Sequence, residues 1–179
     1  GKQISRSQIG NNVMCFSNAP LSASEAFSSP VSPPPFMVGM AEVEIDKETG
    51  VLELIDYVAV VDCGTVINPS LARVQVEGGI AQGIGMALYE DIVYNEKGKN
   101  FSNSLMQYKI PTRLDVGTIR VEFESSYEPT GPFGAKSIGE IVINTPSPAI
   151  SNAIQNATGV IIRELPMTAE KIYRGISER

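Results

Sequence analysis

A carboxylate follows a glycine-rich segment late in the chain. The segment covers residues 131–139 and ends at Glu140, which is followed by apolar residues. Glycine-rich loops present clustered backbone N–H groups that can hold an oxyanion or a phosphate. A carboxylate in apolar surroundings takes up a proton more readily than one in water, which suits it to general-base catalysis. Glu140 is therefore a candidate base, and the alternative is a solvated glutamate or an ion-pair partner of Lys136.

A second candidate site is a run of glycines around an amide side chain. Residues 77–85 read EGGIAQGIG, with four glycines in a segment whose apolar spacing predicts a helix. Each glycine costs about 1 kcal/mol relative to alanine in a helix interior, so a close neighbour must offset the loss. That neighbour is either a polar ligand of a buried Gln82 or another element packed tightly on the helix, with Gln82 bonded to backbone.

The composition excludes several kinds of active site. The sequence has no histidine and two widely separated cysteines, Cys15 and Cys63. A Ser-His-Asp triad, a Cys-His pair, a histidine-based metal site and a four-thiolate metal site therefore cannot be built from it. Catalysis must use carboxylates, amides, backbone groups or a bound cofactor. In the sequence Asp62-Cys63-Gly64 we expect Asp62 to cap a turn and Cys63 to be buried.

Turn and cap signals predict the elements that position these residues. A β-hairpin is expected around the polar turn at residues 46–50. Asn68 followed by Pro69 predicts the start of the glycine-rich helix, which is apolar on two faces and is therefore expected to be buried. Further predicted elements are a strand at 119–123, a helix from Ser147, a strand at 160–162 and a helix from Thr168. Hairpins, a mixed sheet and a few separate helices predict an α+β fold.

A proline-rich segment divides the chain. Residues 29–35 read SPVSPPP, and prolines favour an extended connector because they remove backbone donors. We predict a partly helical lead-in and connector over residues 1–35 and a folded domain over residues 36–179. Because the sequence starts at Gly1, it is expected to be part of a longer protein.

Charge and hydropathy indicate which classes of partner the chain is not expected to bind. The net charge is −6, so the chain lacks the basic surface that a nucleic-acid partner would need. No apolar run reaches the roughly 20 residues that span a bilayer, so no membrane partner is predicted. No signal peptide is recognised, and a cytoplasmic location is expected.

Four motifs together resemble the molybdopterin-binding large subunit of the xanthine dehydrogenase/aldehyde oxidase family. They read VDCGTVINP at residues 61–69, VEGGIAQGIG at 76–85, GAKSIGE at 134–140 and ATGVIIRELPMT at 157–168. Any one of them is a weak signal, whereas four in the family's order are specific.

The resemblance implies a molybdenum-cofactor-binding domain and an enzymatic role. Members of the family hydroxylate carbon centres in purines, N-heterocycles or aldehydes, with water as the oxygen source. The cofactor is molybdopterin, which holds the metal without requiring a protein ligand. By resemblance, Glu140 is the catalytic base, Gln82 and the Gly83 backbone bind near the metal centre, and Lys136 approaches the pterin or its phosphate.

The resemblance also implies partners. These are the rest of the large subunit, iron–sulfur clusters with or without FAD on partner subunits or domains, and a small-molecule substrate. The chain alone is not expected to hold the cofactor. Residues 141–143 depart from the family pattern, since many relatives have prolines there, which puts the subfamily in doubt. A purine or N-heterocycle hydroxylase is preferred over an aldehyde- or carbon monoxide-oxidising relative, a non-catalytic scaffold or a phosphate-binding module.

Overall fold

The computed structural model describes residues 3–17 and 22–178, which belong to two compact units. The first unit, Gly1–Pro30, contains helix α1 (Arg6–Ser17). Ser5 begins this helix with a reciprocal cap: its hydroxyl accepts from the Gln8 N–H at 3.2 Å, and the Gln8 side chain accepts from the Ser5 N–H at 2.9 Å. Such a cap satisfies N–H groups that have no partner within the helix.

The second unit, Val31–Arg179, is built on a sheet that has three strands among the described residues. The strands are β1 (Phe36–Ile45), β2 (Leu52–Asp62) and β3 (Thr118–Phe123). β1 and β2 form the predicted antiparallel hairpin, and β3 pairs parallel to β2. In the hairpin turn, the Asp46 carboxylate accepts from the Glu48 N–H at 2.8 Å. The predicted hairpin and the α+β class are confirmed.

The helices described in this unit are α2 (Pro69–Leu88), α3 (Ile141–Asn144), α4 (Pro146–Thr158) and α5 (Ala169–Ser177), together with a 3₁₀ turn at Pro132–Gly134. Asn68 caps α2 as predicted, because its side chain accepts from the Leu71 N–H at 3.1 Å. Thr168 caps α5 in the same way. Helix α2 lies in the connection between the parallel strands β2 and β3, which need a crossover rather than a tight turn.

The core lies between one face of the sheet and helices α2 and α4. Its largest fully buried side chains include those of Tyr57, Ile80, Ile84, Ile150 and Ile154. The Tyr57 hydroxyl donates to the Thr145 hydroxyl at 2.9 Å, so the polar end of this buried ring is satisfied. Burial of these side chains fixes both helices on the sheet.

Three sequence predictions about the elements are wrong. Residues 160–162 do not form a strand in the described chain, because Val160 instead packs against Gly175 of α5. Helix α4 begins at Pro146 rather than after Ser147, with Thr145 at its N-cap. Helix α2 is not buried on both faces, since Leu71 and Val74 near its start are exposed. Within residues 3–17 and 22–178, the helices fall short of the length and hydrophobicity needed to cross a bilayer.

Candidate functional site

Helix α2 packs closely on the segment that follows Glu140. A Cβ added to Gly79 would lie 2.9 Å from the Val142 Cβ, and one added to Gly83 would lie 2.6 Å from the Pro146 Cγ. These glycines therefore let α2 approach α3 and the start of α4 more closely than any other residue would allow. The fold thus brings the glycine-rich part of α2 against the segment that directly follows the second glycine-rich motif. At these two positions the alternative explanation, tight packing within the protein, is the one observed.

Gly78 and Gln82 lie outside this contact, on the exposed side of α2. They are four residues apart, so they lie on the same side of the helix, and both are exposed. A Cβ added to Gly78 would meet no heavy atom of the described chain within 4 Å. The expectation that Gln82 is buried is wrong for this chain, because the core lies on the opposite side of α2. Packing inside the chain therefore explains Gly79 and Gly83 but not Gly78.

Glu140 lies at the N-cap of α3, and its carbonyl accepts from the Ile143 N–H at 3.4 Å. Its side chain is exposed, so the expected apolar surroundings are not found among the described residues. The apolar residue that is buried here is Val142, two positions later, which packs under Gly79. Gly139 is also open, since an added Cβ would have no heavy atom of the described chain within 4 Å.

The loop before Glu140 has backbone donors that lack an acceptor among the described residues. The Lys136 N–H donates to the Cys63 carbonyl at 2.7 Å, and after the loop the Ile143 N–H donates to the Glu140 carbonyl at 3.4 Å. Within the described part of the protein, the N–H groups of residues 137–140 have no protein acceptor. Such a cluster can hold an anion or the polar edge of a ligand.

Lys136 is engaged inside the protein. Its side chain is only 10% exposed, and its Nζ lies 2.6 Å from Oδ2 of Asp62 and 5.4 Å from the centre of the Phe36 ring. The alternative in which Lys136 pairs with Glu140 is therefore wrong. A direct contact between Lys136 and a cofactor stays a prediction, and it would compete with the Asp62 ion pair.

Asp62 is a residue whose full role the sequence did not reveal. The predicted turn cap is present, because its Oδ1 accepts from the Gly64 N–H at 3.0 Å. The hydrogen bond from Lys136, aided by those from Ser126 and Gly64, lowers the pKa of Asp62 to about 2. No local pattern could have indicated partners 64 and 74 residues away. Burial of the neighbouring Cys63 thiol raises its pKa, which fits the predicted structural role.

A cavity of about 340 Å³ lies between the start of α2 and the loop that contains Lys136. Its lining includes the side chains of Thr65, Asn68, Leu71, Gln75, Lys136 and Ile138. Gln75 precedes Gln82 by two helical turns, so the cavity opens on the same side of α2 as Gly78 and Gln82. Gln75, Gly78 and Gln82 of α2 and Gly139 and Glu140 of the loop are all exposed, and we call these five residues the open face.

The described residues supply no metal site of their own. Among residues 3–17 and 22–178, no group of three or more His, Cys, Asp or Glu side chains is placed to hold a metal ion. The open face instead offers amide side chains, free backbone N–H groups and one carboxylate. These groups bind a polar organic ligand better than a bare cation.

Comparisons with known proteins identify the family. Residues 2–117 match the family described as the molybdopterin cofactor-binding domain. The xanthine dehydrogenase molybdenum-binding subunit of Escherichia coli O157:H7 is 35% identical over 154 residues, which cover 86% of this chain and 20% of that protein.

Two solved structures share the fold. Quinoline 2-oxidoreductase from Pseudomonas putida 86 matches with a TM-score of 0.73 and 40% identity, over 78% of this chain and 18% of that one. The aldehyde oxidoreductase from Desulfovibrio gigas matches with a TM-score of 0.74 and 34% identity, over 80% of this chain and 15% of that one. The chain thus spans 15% to 20% of the lengths of these relatives. It belongs to the molybdopterin cofactor-binding domain family of xanthine dehydrogenase-type molybdenum oxidoreductases.

Proposed function

We propose that this chain forms one wall of the molybdopterin site in an enzyme that hydroxylates a purine or another N-heterocycle, with Glu140 as the catalytic base. The observation that carries the proposal is the open face. There the polar residues of two family motifs lie exposed on elements that are rigidly packed underneath by Gly79, Gly83 and Val142. Polar groups held on a rigid support without internal partners are suited to a ligand rather than to the fold.

The residues fit the cofactor of this family. Molybdopterin brings its own sulfur ligands for the metal, so the lack of a metal-binding cluster among the described residues is compatible with it. Gly78 and Gly139 leave space at the backbone that a Cβ would occupy. The free N–H groups of residues 137–140 and the Gln82 amide are donors that a pterin and its phosphate can use.

The residues of this chain would then have separate roles in catalysis and in cofactor binding. When bound, the cofactor would supply the two-electron oxidant for the substrate carbon, whose hydrogen would leave as a hydride equivalent. We propose that the Glu140 carboxylate takes the proton from the water-derived oxygen as that oxygen bonds to the substrate carbon. Gln82 would hold the cofactor through its amide, while Gly83 would serve by letting α3 and α4 lie close to Gln82.

Glu140 needs a drier environment than this chain provides. We propose that the remainder of the large subunit covers the open face, since the relatives are five to seven times longer than the matched region. Excluding water there would strengthen both the carboxylate as a base and every hydrogen bond to the cofactor. Iron–sulfur clusters, with or without FAD, on partner subunits or domains would carry the electrons away, and a cytoplasmic location fits these partners.

Two of the named relatives support the proposed substrate class. Xanthine and quinoline are both N-heterocycles, and the enzymes named for them are 35% and 40% identical to this chain. An aldehyde substrate is the second candidate, because the aldehyde oxidoreductase matches with nearly the same TM-score. Turnover of a purine, quinoline and an aromatic aldehyde by the complete enzyme distinguishes the two.

The test of the base is Glu140→Gln in the complete enzyme. Because the side chain is exposed in this chain, we expect unchanged stability and molybdenum content, with turnover lower by on the order of 10²-fold to 10⁴-fold. Glu122→Gln, an exposed change on β3, is the matched control and should leave turnover intact. Retained turnover in Glu140→Gln would show that another group is the base.

A further inference from the structure

Asp62 joins three segments that are far apart in the sequence. Its Oδ1 accepts from the Gly64 N–H at 3.0 Å and from the Ser126 hydroxyl at 2.6 Å, and its Oδ2 accepts from Lys136 Nζ at 2.6 Å. Both carboxylate oxygens are therefore in use. The end of β2, the segment after β3 and the glycine-rich loop meet at this one side chain.

Lys136 depends on this carboxylate. Its side chain is 10% exposed and that of Asp62 is 22% exposed, so both charges lie largely out of water. An ammonium in such a place is costly without an anionic partner. The Phe36 ring lies 5.4 Å from Nζ and adds a cation–π contact. The low pKa of Asp62 keeps the carboxylate charged at any physiological pH, so the pair is permanent rather than a switch.

Backbone hydrogen bonds also connect the glycine-rich loop to the end of β2. The Lys136 N–H donates to the Cys63 carbonyl and the Thr65 N–H donates to the Gly134 carbonyl, each at 2.7 Å. The loop is thus anchored to the end of β2 at Lys136 through both its backbone and its side chain. Four residues later the chain reaches Glu140.

A second anchor follows Glu140 closely. Val142 is buried and packs on Gly79 of α2. Between the two anchors the chain makes no hydrogen bond from the N–H groups of residues 137–140 within the described residues. The position of Glu140 is therefore set by Lys136 on one side and Val142 on the other.

We propose that Asp62 and Lys136 are positioning residues for Glu140: their ion pair holds the loop so that the carboxylate meets its proton donor. The proposal rests on the role of Glu140 proposed above. It assigns Lys136 to the loop instead of to the cofactor's phosphate. A loop displaced by about 1 Å can cost on the order of 10²-fold in rate, so even a small shift would be measurable.

The first test is Lys136→Met in the complete enzyme. We expect kcat to fall by on the order of 10-fold to 10²-fold, with KM changed by less than about threefold and molybdenum content unchanged. Lys136→Arg keeps the ion pair and should restore most of kcat. Arg120→Met removes the other ion pair of the sheet, with Asp56, and as a matched control should stay within about twofold of the wild-type kcat.

A double-mutant cycle separates positioning from general support of the fold. If Lys136 acts through Glu140, Lys136→Met should lower the residual rate of Glu140→Gln by less than about twofold. Multiplied losses in the double variant would overturn the proposal, as would a kcat within about twofold of wild type for Lys136→Met. Loss of molybdenum from Lys136→Met would indicate direct cofactor contact and would also overturn it.

Asp62→Asn, which keeps the shape of the side chain, is measured alongside because Lys136→Met leaves a carboxylate unpaired. Failure of both variants to fold would mean that the pair serves the fold, which contradicts the proposal. Glu140→Gln is the internal reference. If it retains turnover, the proposed base is wrong; if it loses turnover while Lys136→Met does not, the positioning role alone is wrong.

Discussion

Polar groups are paired in one region of the molecule and exposed in another. The first region is the Asp62 cluster, which consists of Asp62, Gly64, Ser126 and Lys136, and the second is the open face. At Asp62, a carboxylate, an ammonium, a hydroxyl and a backbone N–H are all paired with one another. On the open face, Gln82 and Glu140 are exposed, and the N–H groups of residues 137–140 have no acceptor within the described chain. Both regions draw on the motif at residues 134–140, in which Lys136 and Glu140 are four residues apart.

This difference separates residues that serve the fold from residues that we propose bind a ligand. A buried polar group must be paired, or it costs folding free energy. An exposed polar group on rigid support has no such requirement and is free to bind a partner. Membership in a motif therefore does not assign a role by itself, as Lys136 and Glu140 illustrate.

Gln82→Ala should damage the open face without damaging the fold. Losing hydrogen bonds to a cofactor centre typically costs on the order of 10-fold to 100-fold in activity or affinity. Because Gln82 is exposed in this chain, its unfolding midpoint should not change. Steady-state kinetics of the complete enzyme and denaturant unfolding of the chain measure the two effects. Gln155→Ala, an exposed glutamine on α4, is the control, and an equal loss in both variants would refute the assignment.

Alanine substitutions at the glycines of α2 should affect stability differently on the packed and on the exposed side of the helix. Gly83→Ala should destabilise the chain by about 1–3 kcal/mol, because the new Cβ would overlap Pro146. Gly78→Ala faces open space and should stabilise the helix by up to about 1 kcal/mol. Urea unfolding of the two variants measures the difference. Equal destabilisation by both changes would show that Gly78 is also packed within the chain.

The Asp62 cluster should make stability depend on acid pH. The pKa of Asp62 falls from an ordinary 3.8 to about 2 in the folded protein. The stabilisation that the ionised Asp62 gives the folded protein is therefore complete above about pH 4. It is lost as the pH falls towards 2, because in this range Asp62 binds a proton more readily in the unfolded protein. The loss should reach no more than about 2 kcal/mol. Urea unfolding of wild type and Asp62→Asn against pH measures it, and parallel curves would contradict the prediction.

The exposed Arg120–Asp56 ion pair should matter least. The Arg120 side chain is mostly exposed, and solvent and salt screen such pairs. Arg120→Met should therefore leave the urea midpoint of unfolding almost unchanged. A clear loss of stability in the same urea titration would show that this exposed ion pair stabilises the sheet, which contradicts the prediction.

The parts of the fold that could be predicted from sequence depend on local signals. The hairpin follows from its polar turn, and the starts of α2 and α5 follow from the caps Asn68 and Thr168. Residues 160–162 have strand-like composition, but a strand also needs a pairing partner, and in the fold Val160 packs on α5 instead. Apolar spacing likewise predicted a helix at α2, but it could not say that Leu71 and Val74 would be left exposed.

For the site, sequence could indicate which residues matter but not how each is used. The motif containing Gln82 packs through Gly79 and Gly83 on the segment that begins directly after Glu140. Their exposure could not be predicted, because it depends on which side of α2 the core occupies. The pairing of Lys136 with Asp62 spans 74 residues and arises from the register of the loop on β2, which local patterns do not encode.

The most direct test of the central claim is elemental analysis of the complete large subunit, purified from its native host with its partners. We predict stoichiometric molybdenum, retained through gel filtration and released together with a pterin on denaturation. Folded and assembled protein without molybdenum or pterin would contradict the account, and it would favour a scaffold or a cofactor-free binding module.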